Sequence, residues 1–110
     1  MIPFTWFRGL CERLRAQRSL IVVQGDALPG QLPKRALVLL REHGEDWSVG
    51  MSCPCGCKQR VELPLIREVK PSWRLTLEQD GSPTLAPSVW LREGCRSHFF
   101  LKRGRVQWVQ

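Results

Sequence analysis

The sequence predicts a mainly β domain, a small sandwich or open barrel, with one N-terminal helix and a zinc site that clips its halves together. Short apolar runs alternate with turn signals every ~8–12 residues, which is typical of small β domains. The chain has 110 residues, enough for one domain with one modest core. Three of its five cysteines fall in residues 53–57, written CPCGC.

The helix is predicted at residues 5–18, within an N-terminal extension that covers residues 1–18. Thr5 is a suitable N-cap. One apolar face follows the i, i+3, i+4, i+7 spacing of a helix through Phe7, Leu10, Cys11 and Leu14. The other faces are rich in arginine, and we expect this basic amphipathic helix to pack across its own domain.

Six to eight short strands are expected after the helix. The candidate runs are residues 20–24, 36–41, 47–52, 61–66, 73–79, 84–91, 98–101 and 106–109. The second run is rich in leucine and would also suit a helix. Trp73, Leu75 and Leu77 alternate with polar residues, as in a half-buried strand. Pro87 places its run at a sheet edge or a bulge. The last two runs flank residues 102–104, written KRG, and are expected to form a hairpin.

The formal net charge of +7 suggests an anionic partner, either nucleic acid or an acidic protein surface. The 17 Lys and Arg residues are spread along the chain, so a solvated basic surface is an equal alternative. No apolar run approaches the ~20 residues that cross a bilayer. With no signal-peptide pattern, we expect a cytoplasmic protein without membrane contact, in which clustered cysteines bind metal rather than form disulfides.

A second group of potential ligands lies about forty residues after the first, where a cysteine and a histidine open a strand as Cys-x-x-His. The combined set is Cys53, Cys55, Cys57, Cys95 and His98. Thiolate and imidazole in tetrahedral geometry favour Zn²⁺. Because zinc takes four ligands, one of the five is spare. Four protein ligands would make the zinc structural, whereas three would leave a position for a reactive water.

Five short motifs together resemble a bacterial family of small proteins encoded in Bub-type, antiviral ubiquitination-like operons. They are CPCGC, PSW at 71–73, LAPSV at 85–89, CRSHFF at 95–100 and GRVQW at 104–108. The resemblance covers roughly residues 20–110. It implies a zinc-dependent peptidase that removes or trims a ubiquitin-like protein. The family's Pro-Ser motif matches Pro87 and Ser88.

Two hypotheses follow. In the first, a zinc-bound water attacks the ubiquitin-like partner's C-terminal carbonyl, with Glu93 or Glu62 as the base. Ser88 or Ser97 would donate to the developing oxyanion or position the water. An extended substrate tail would add as a strand to an exposed sheet edge. In the second, the zinc is structural and the domain is a non-catalytic module that binds nucleic acid or an acidic protein.

Overall fold

The structure is a computed structural model that describes residues 17–109. It contains two four-stranded sheets whose inner faces share one core. The strands are β1 (Ser19–Gln24), β2 (Ala36–Glu42), β3 (Glu45–Ser52), β4 (Arg60–Pro64), β5 (Arg74–Leu77), β6 (Pro83–Trp90), β7 (His98–Lys102) and β8 (Arg105–Trp108). The predicted mainly β fold is therefore confirmed, in its sandwich form.

The predicted N-terminal helix lies outside the described residues, apart from its last two positions. Those two, Gln17 and Arg18, are not helical and lead directly into β1. No helix in residues 17–109 is both long and apolar enough to span a bilayer.

The first sheet has the order β1-β2-β3-β4, with β1 parallel to β2 and the other pairs antiparallel. β2 is a strand, not a helix, and residues 36–40 are buried on both faces. Its outer face is covered by the loop between β1 and β2. A Cβ on Gly50, which pairs with Val38, would lie 2.9 Å from the Leu28 side chain and 3.3 Å from that of Leu32. Burial on both faces explains why this strand lacks polar alternation.

The second sheet has the order β5-β6-β7-β8 and is antiparallel throughout. β7 and β8 form a hairpin whose two turn residues, Arg103 and Gly104, have φ values of 52° and 76°. Positive φ at both positions is characteristic of the type I′ turn that matches strand twist. The hairpin expected at this place is therefore confirmed.

The core is formed by alternate residues of β2, β3, β4, β6 and β7, together with Cys53. Its members are Leu37, Leu39, Val49, Met51, Cys53, Val61, Leu63, Leu85, Val89, Phe99 and Leu101. Phe99 and Leu101 are fully buried and lie on the same face of β7. The residues of β7 that alternate with them, His98, Phe100 and Lys102, point to the opposite face of the sheet.

Arg18 connects the two sheets from inside the protein. Its guanidinium donates to Ala36 O and Ser52 O, both at 3.1 Å, and its backbone N–H donates to Gly104 O at 2.5 Å. The side chain is buried, and burial lowers the pKa of the guanidinium from its ordinary value. No carboxylate in residues 17–109 forms an ion pair with Arg18.

We expect Arg18→Ala to lower the free energy of unfolding by about 2–3 kcal/mol, because two buried carbonyls lose a charged donor. Urea unfolding followed by tryptophan fluorescence would measure the change. Arg35→Ala is the matched control, because Arg35 is exposed and its side chain has no hydrogen bond in the described residues. Equal stability of the two variants would show that the hydrogen bonds of the Arg18 side chain do not stabilise the fold.

Candidate active site and cysteine cluster

A bulge in β6 carries Ser88. The register between β6 and β7 shifts between Leu85 and Val89, whose side chains are both buried in the core. Pro87 lies in the shifted segment and has no N–H to donate to a sheet ladder. The bulge predicted from Pro87 is thus confirmed. It shifts the pairing with β7 just before Ser88, so Ser88 lies opposite a different part of β7 than it would in a regular strand.

Ser88 and His98 form a hydrogen bond across the two strands. The Oγ atom of Ser88 lies 2.9 Å from Nε2 of His98, the first residue of β7. Both residues are half-buried, so one side of the pair faces solvent. No other serine bonds to a histidine within residues 17–109. A hydroxyl within hydrogen-bond reach of an imidazole is the arrangement that activates a serine nucleophile.

An aromatic stack holds the imidazole. Trp90 pairs with His98 across the sheet, and their rings lie 4.8 Å apart with an angle of 8° between planes. The Arg92 guanidinium lies 3.8 Å from the centre of the Trp90 ring. Within the described residues no carboxylate bonds to His98, and the Trp90 ring is the group that packs against its imidazole.

Backbone contacts fix both members of the pair. The indole N–H of Trp73 donates to Ser88 O at 3.3 Å. The backbone N–H of Val109 donates to His98 O at 2.9 Å. The serine and the histidine are therefore each anchored at the main chain, which limits their relative motion.

The cysteine cluster lies where the two sheets meet. Cys53 follows β3 in the first sheet, and Cys95 precedes β7 in the second. The Sγ atom of Cys53 is 3.4 Å from that of Cys55 and 3.6 Å from that of Cys95. With Cys57, the four sulfurs all lie within 4.8 Å of one another. All four are free thiols.

This donor set fits a tetrahedral metal ion. Zinc–thiolate bonds of ~2.3 Å place tetrahedral sulfurs about 3.8 Å apart, close to the two shorter separations in the cluster. Four thiolates are also the ligands of many structural zinc sites. The four cysteines could therefore bind a metal ion, whose identity the cluster alone does not fix.

Ser97 contacts the cysteine cluster and directly precedes His98 in the chain. Its Oγ lies 3.1 Å from Cys95 Sγ and 3.7 Å from Cys53 Sγ. Hydrogen bonds from the Ser97 hydroxyl and backbone lower the pKa of the Cys95 thiol to about 6. Burial raises the pKa of the Cys53 thiol to about 12. The surroundings thus favour the thiolate at Cys95 and the neutral thiol at Cys53.

A basic cavity of about 540 Å³ adjoins the cluster. Four cationic residues line it: Arg18, Lys34, Arg35 and Lys58. Within residues 17–109 none of them forms an ion pair with a carboxylate. Positive charge near thiols favours thiolates, so the lining balances the negative charge that four metal-binding sulfurs would carry.

The structure separates the residues proposed from the sequence into two groups. It brings four of the five candidate ligands together and places the fifth, His98, on Ser88 instead. The candidate bases lie in neither group. Glu93 is exposed in the loop before β7, and Glu62 forms an ion pair with Arg60 at 2.5 Å.

Comparison with known families assigns the chain to a family. The family model described as bacterial ubiquitination-like system serine protease (BubE) matches residues 24–109. The chain belongs to the BubE family. No curated protein and no solved structure matches the chain. The Bub-type resemblance found in the sequence is thus supported, and the family is one of proteases.

The expected zinc-dependent peptidase mechanism is wrong, because the BubE family is one of serine proteases. The geometry is consistent with this correction, since the structure supplies a hydrogen-bonded serine and histidine. The binding-module alternative gains no support from the family match.

The Ser88–His98 pair is what sequence reasoning missed. The sequence suggests Ser88 as an oxyanion donor or a residue that positions the water, and His98 as a metal ligand, because His98 follows Cys95 at zinc-ligand spacing. The signal that could have revealed the pair is a serine in a proline-containing strand ten residues before a histidine that opens the next strand.

Proposed function

We propose that this BubE-family chain is a serine peptidase in which Ser88 is the nucleophile and His98 is the general base. The observation that carries the proposal is the 2.9 Å hydrogen bond between Ser88 Oγ and His98 Nε2, in a family described as serine proteases. No metal ion takes part in the chemical steps.

The reaction proceeds through an acyl-enzyme. His98 Nε2 accepts the hydroxyl proton as Ser88 Oγ attacks the substrate carbonyl carbon, which becomes tetrahedral. The intermediate collapses as the C–N bond breaks, and His98 returns the proton to the leaving amine. Water then attacks the ester carbonyl while His98 accepts its proton. Release of the carboxylic acid restores the proton to Ser88.

The substrate we propose is a ubiquitin-like protein or its conjugates, cleaved at the bond that follows the ubiquitin-like part. The family's description as part of a ubiquitination-like system supports this partner. Ser88 and His98 lie on a partly exposed sheet face, which suits a substrate as large as a folded protein with an extended tail.

We further propose that the four cysteines bind a structural zinc ion. Sulfur separations of 3.4 and 3.6 Å support this assignment, since four thiolates form a closed shell around zinc. The ion would join the end of β3 to the loop before β7. Its contribution is to hold Cys95 and Ser97, and hence the backbone that leads into His98.

Ser88→Ala should lower kcat/KM by at least ~10³-fold, because the nucleophile is lost. Release of a reporter fused after the ubiquitin-like protein would measure cleavage. A fluorophosphonate probe should label the wild type but not Ser88→Ala. Ser48→Ala is the matched control, a half-buried strand serine whose hydroxyl has no hydrogen bond among residues 17–109. Cleavage by Ser88→Ala at the wild-type rate would contradict the mechanism.

Removing the stack on His98 should slow catalysis without removing the base. We expect Trp90→Ala to lower kcat by about 10²-fold with little change in KM. Without the stacked ring the His98 imidazole would be less well oriented toward Ser88 Oγ, and proton transfer would slow. Trp90→Phe keeps a ring at the same position and should recover most of the activity. Trp47→Ala, in the other sheet, controls for the loss of an exposed indole. Equal kcat for Trp90→Ala and Trp90→Phe would argue against orientation by stacking.

The two candidate ligand sets can be separated by metal content. With four cysteine ligands, Cys95→Ser should lose the bound zinc and His98→Ala should keep one zinc per chain, because its imidazole lies on Ser88. Inductively coupled plasma mass spectrometry of the purified variants would measure this, and the spectrum of Co²⁺-substituted protein would report the number of thiolates. Loss of zinc in His98→Ala would show that the histidine is a ligand.

A further inference from the structure

β6 extends beyond its neighbour β5. The β5–β6 pairing ends at Arg74↔Ala86, whereas β6 continues to Trp90. On its other side β6 stays paired with β7 through Trp90↔His98. Residues 87–90 therefore have a strand on one side and none of the described strands on the other.

The chain before β5 turns away from this open edge. The backbone N–H of Trp73 donates to Pro64 O, in the first sheet, at 2.9 Å. Only the Trp73 indole reaches back, to Ser88 O. The Trp73 indole thus occupies Ser88 O, and among the described residues no strand pairs with the Trp90 backbone on this side, two residues from the proposed nucleophile.

The backbone groups at this edge point outward. The N–H of Leu91 donates to Ser97 O at 2.9 Å, so Leu91 faces β7. Because backbone groups alternate in direction along an antiparallel pair, the N–H and C=O of Trp90 face the open side. The contact from Trp73 to Ser88 O shows the same direction for Ser88, two residues earlier.

We propose that the extended segment of the substrate next to the scissile bond adds as a further strand along this edge, pairing with the backbone of Trp90. The inference rests on Ser88 as nucleophile. Strand addition uses main-chain hydrogen bonds, and here the receiving strand also carries the nucleophile. A paired segment lies ~4.8 Å from β6, which brings one of its carbonyl groups within reach of Ser88 Oγ.

The distance from Ser88 selects this edge over the other open edge of the sheet. β8 is the last strand on the opposite side, with β7 between it and β6. A segment added to β8 would lie three strand spacings, about 14 Å, from β6. A serine side chain cannot act over that distance, so only the β6 edge is compatible with attack by Ser88.

Amide hydrogen exchange in the Ser88→Ala variant tests the proposal, because a bound substrate is not turned over. The probe is the ubiquitin-like protein with its C-terminal extension, at saturating concentration. We expect the Trp90 amide to exchange at least ~10-fold more slowly in the complex, since its N–H gains a strand partner. The Trp108 amide is the matched control, because β8 is the opposite edge of the sheet. The neighbouring Val109 N–H donates to His98 O in β7, so the Trp108 N–H faces the open side.

Slower exchange at Trp90 with unchanged exchange at Trp108 would support the proposal. Unchanged exchange at Trp90 in the complex, or protection at Trp108 instead, would overturn it. Cleavage by Ser88→Ala measures the proposed function separately. If that variant is inactive but Trp90 stays unprotected, the nucleophile assignment stands and only the docking edge is wrong.

Discussion

The pairing of β6 with β7 is the constraint on which the rest of the site depends. One register, Trp90↔His98, sets the aromatic stack, and the shift after Leu85 brings Ser88 to the imidazole. A slip by one residue would send every side chain of the strand to the other face. The buried residues Val89 and Phe99, which also pair, fix this register from the core side.

The alternation of side chains along β7 divides structural from reactive roles. Ser97 is buried and contacts the cysteines, and Phe99 is buried in the core, whereas His98 between them faces the opposite side. The loop before the strand is sharply turned, with Arg96 at φ 55°. A metal ion on Cys95 would therefore act on the histidine through two residues of backbone and not through its imidazole.

This alternation also explains what the sequence could predict. The strands were predictable because apolar periodicity and turn residues are local signals, and the cysteine cluster because ligand spacing is local too. The spacing of Cys95 and His98 suggested a shared metal ion, because spacing along the chain does not show on which face of the strand each side chain lies. Ser88 and His98 meet only through strand pairing across a bulge, and no local pattern encodes that register. β2 was ambiguous because its cover, the loop with Leu28 and Leu32, removes polar alternation.

The cysteine cluster and the Ser88–His98 pair are built from separate sets of side chains. A chain of 110 residues has one modest core, and Ser88 and His98 lie on the other face of their sheet, outside that core. The cysteines join the sheets at the end where the loop into β7 would otherwise be free to move. The cluster and the Ser88–His98 pair therefore use different side chains, and they are linked through the short backbone segment from Cys95 to His98.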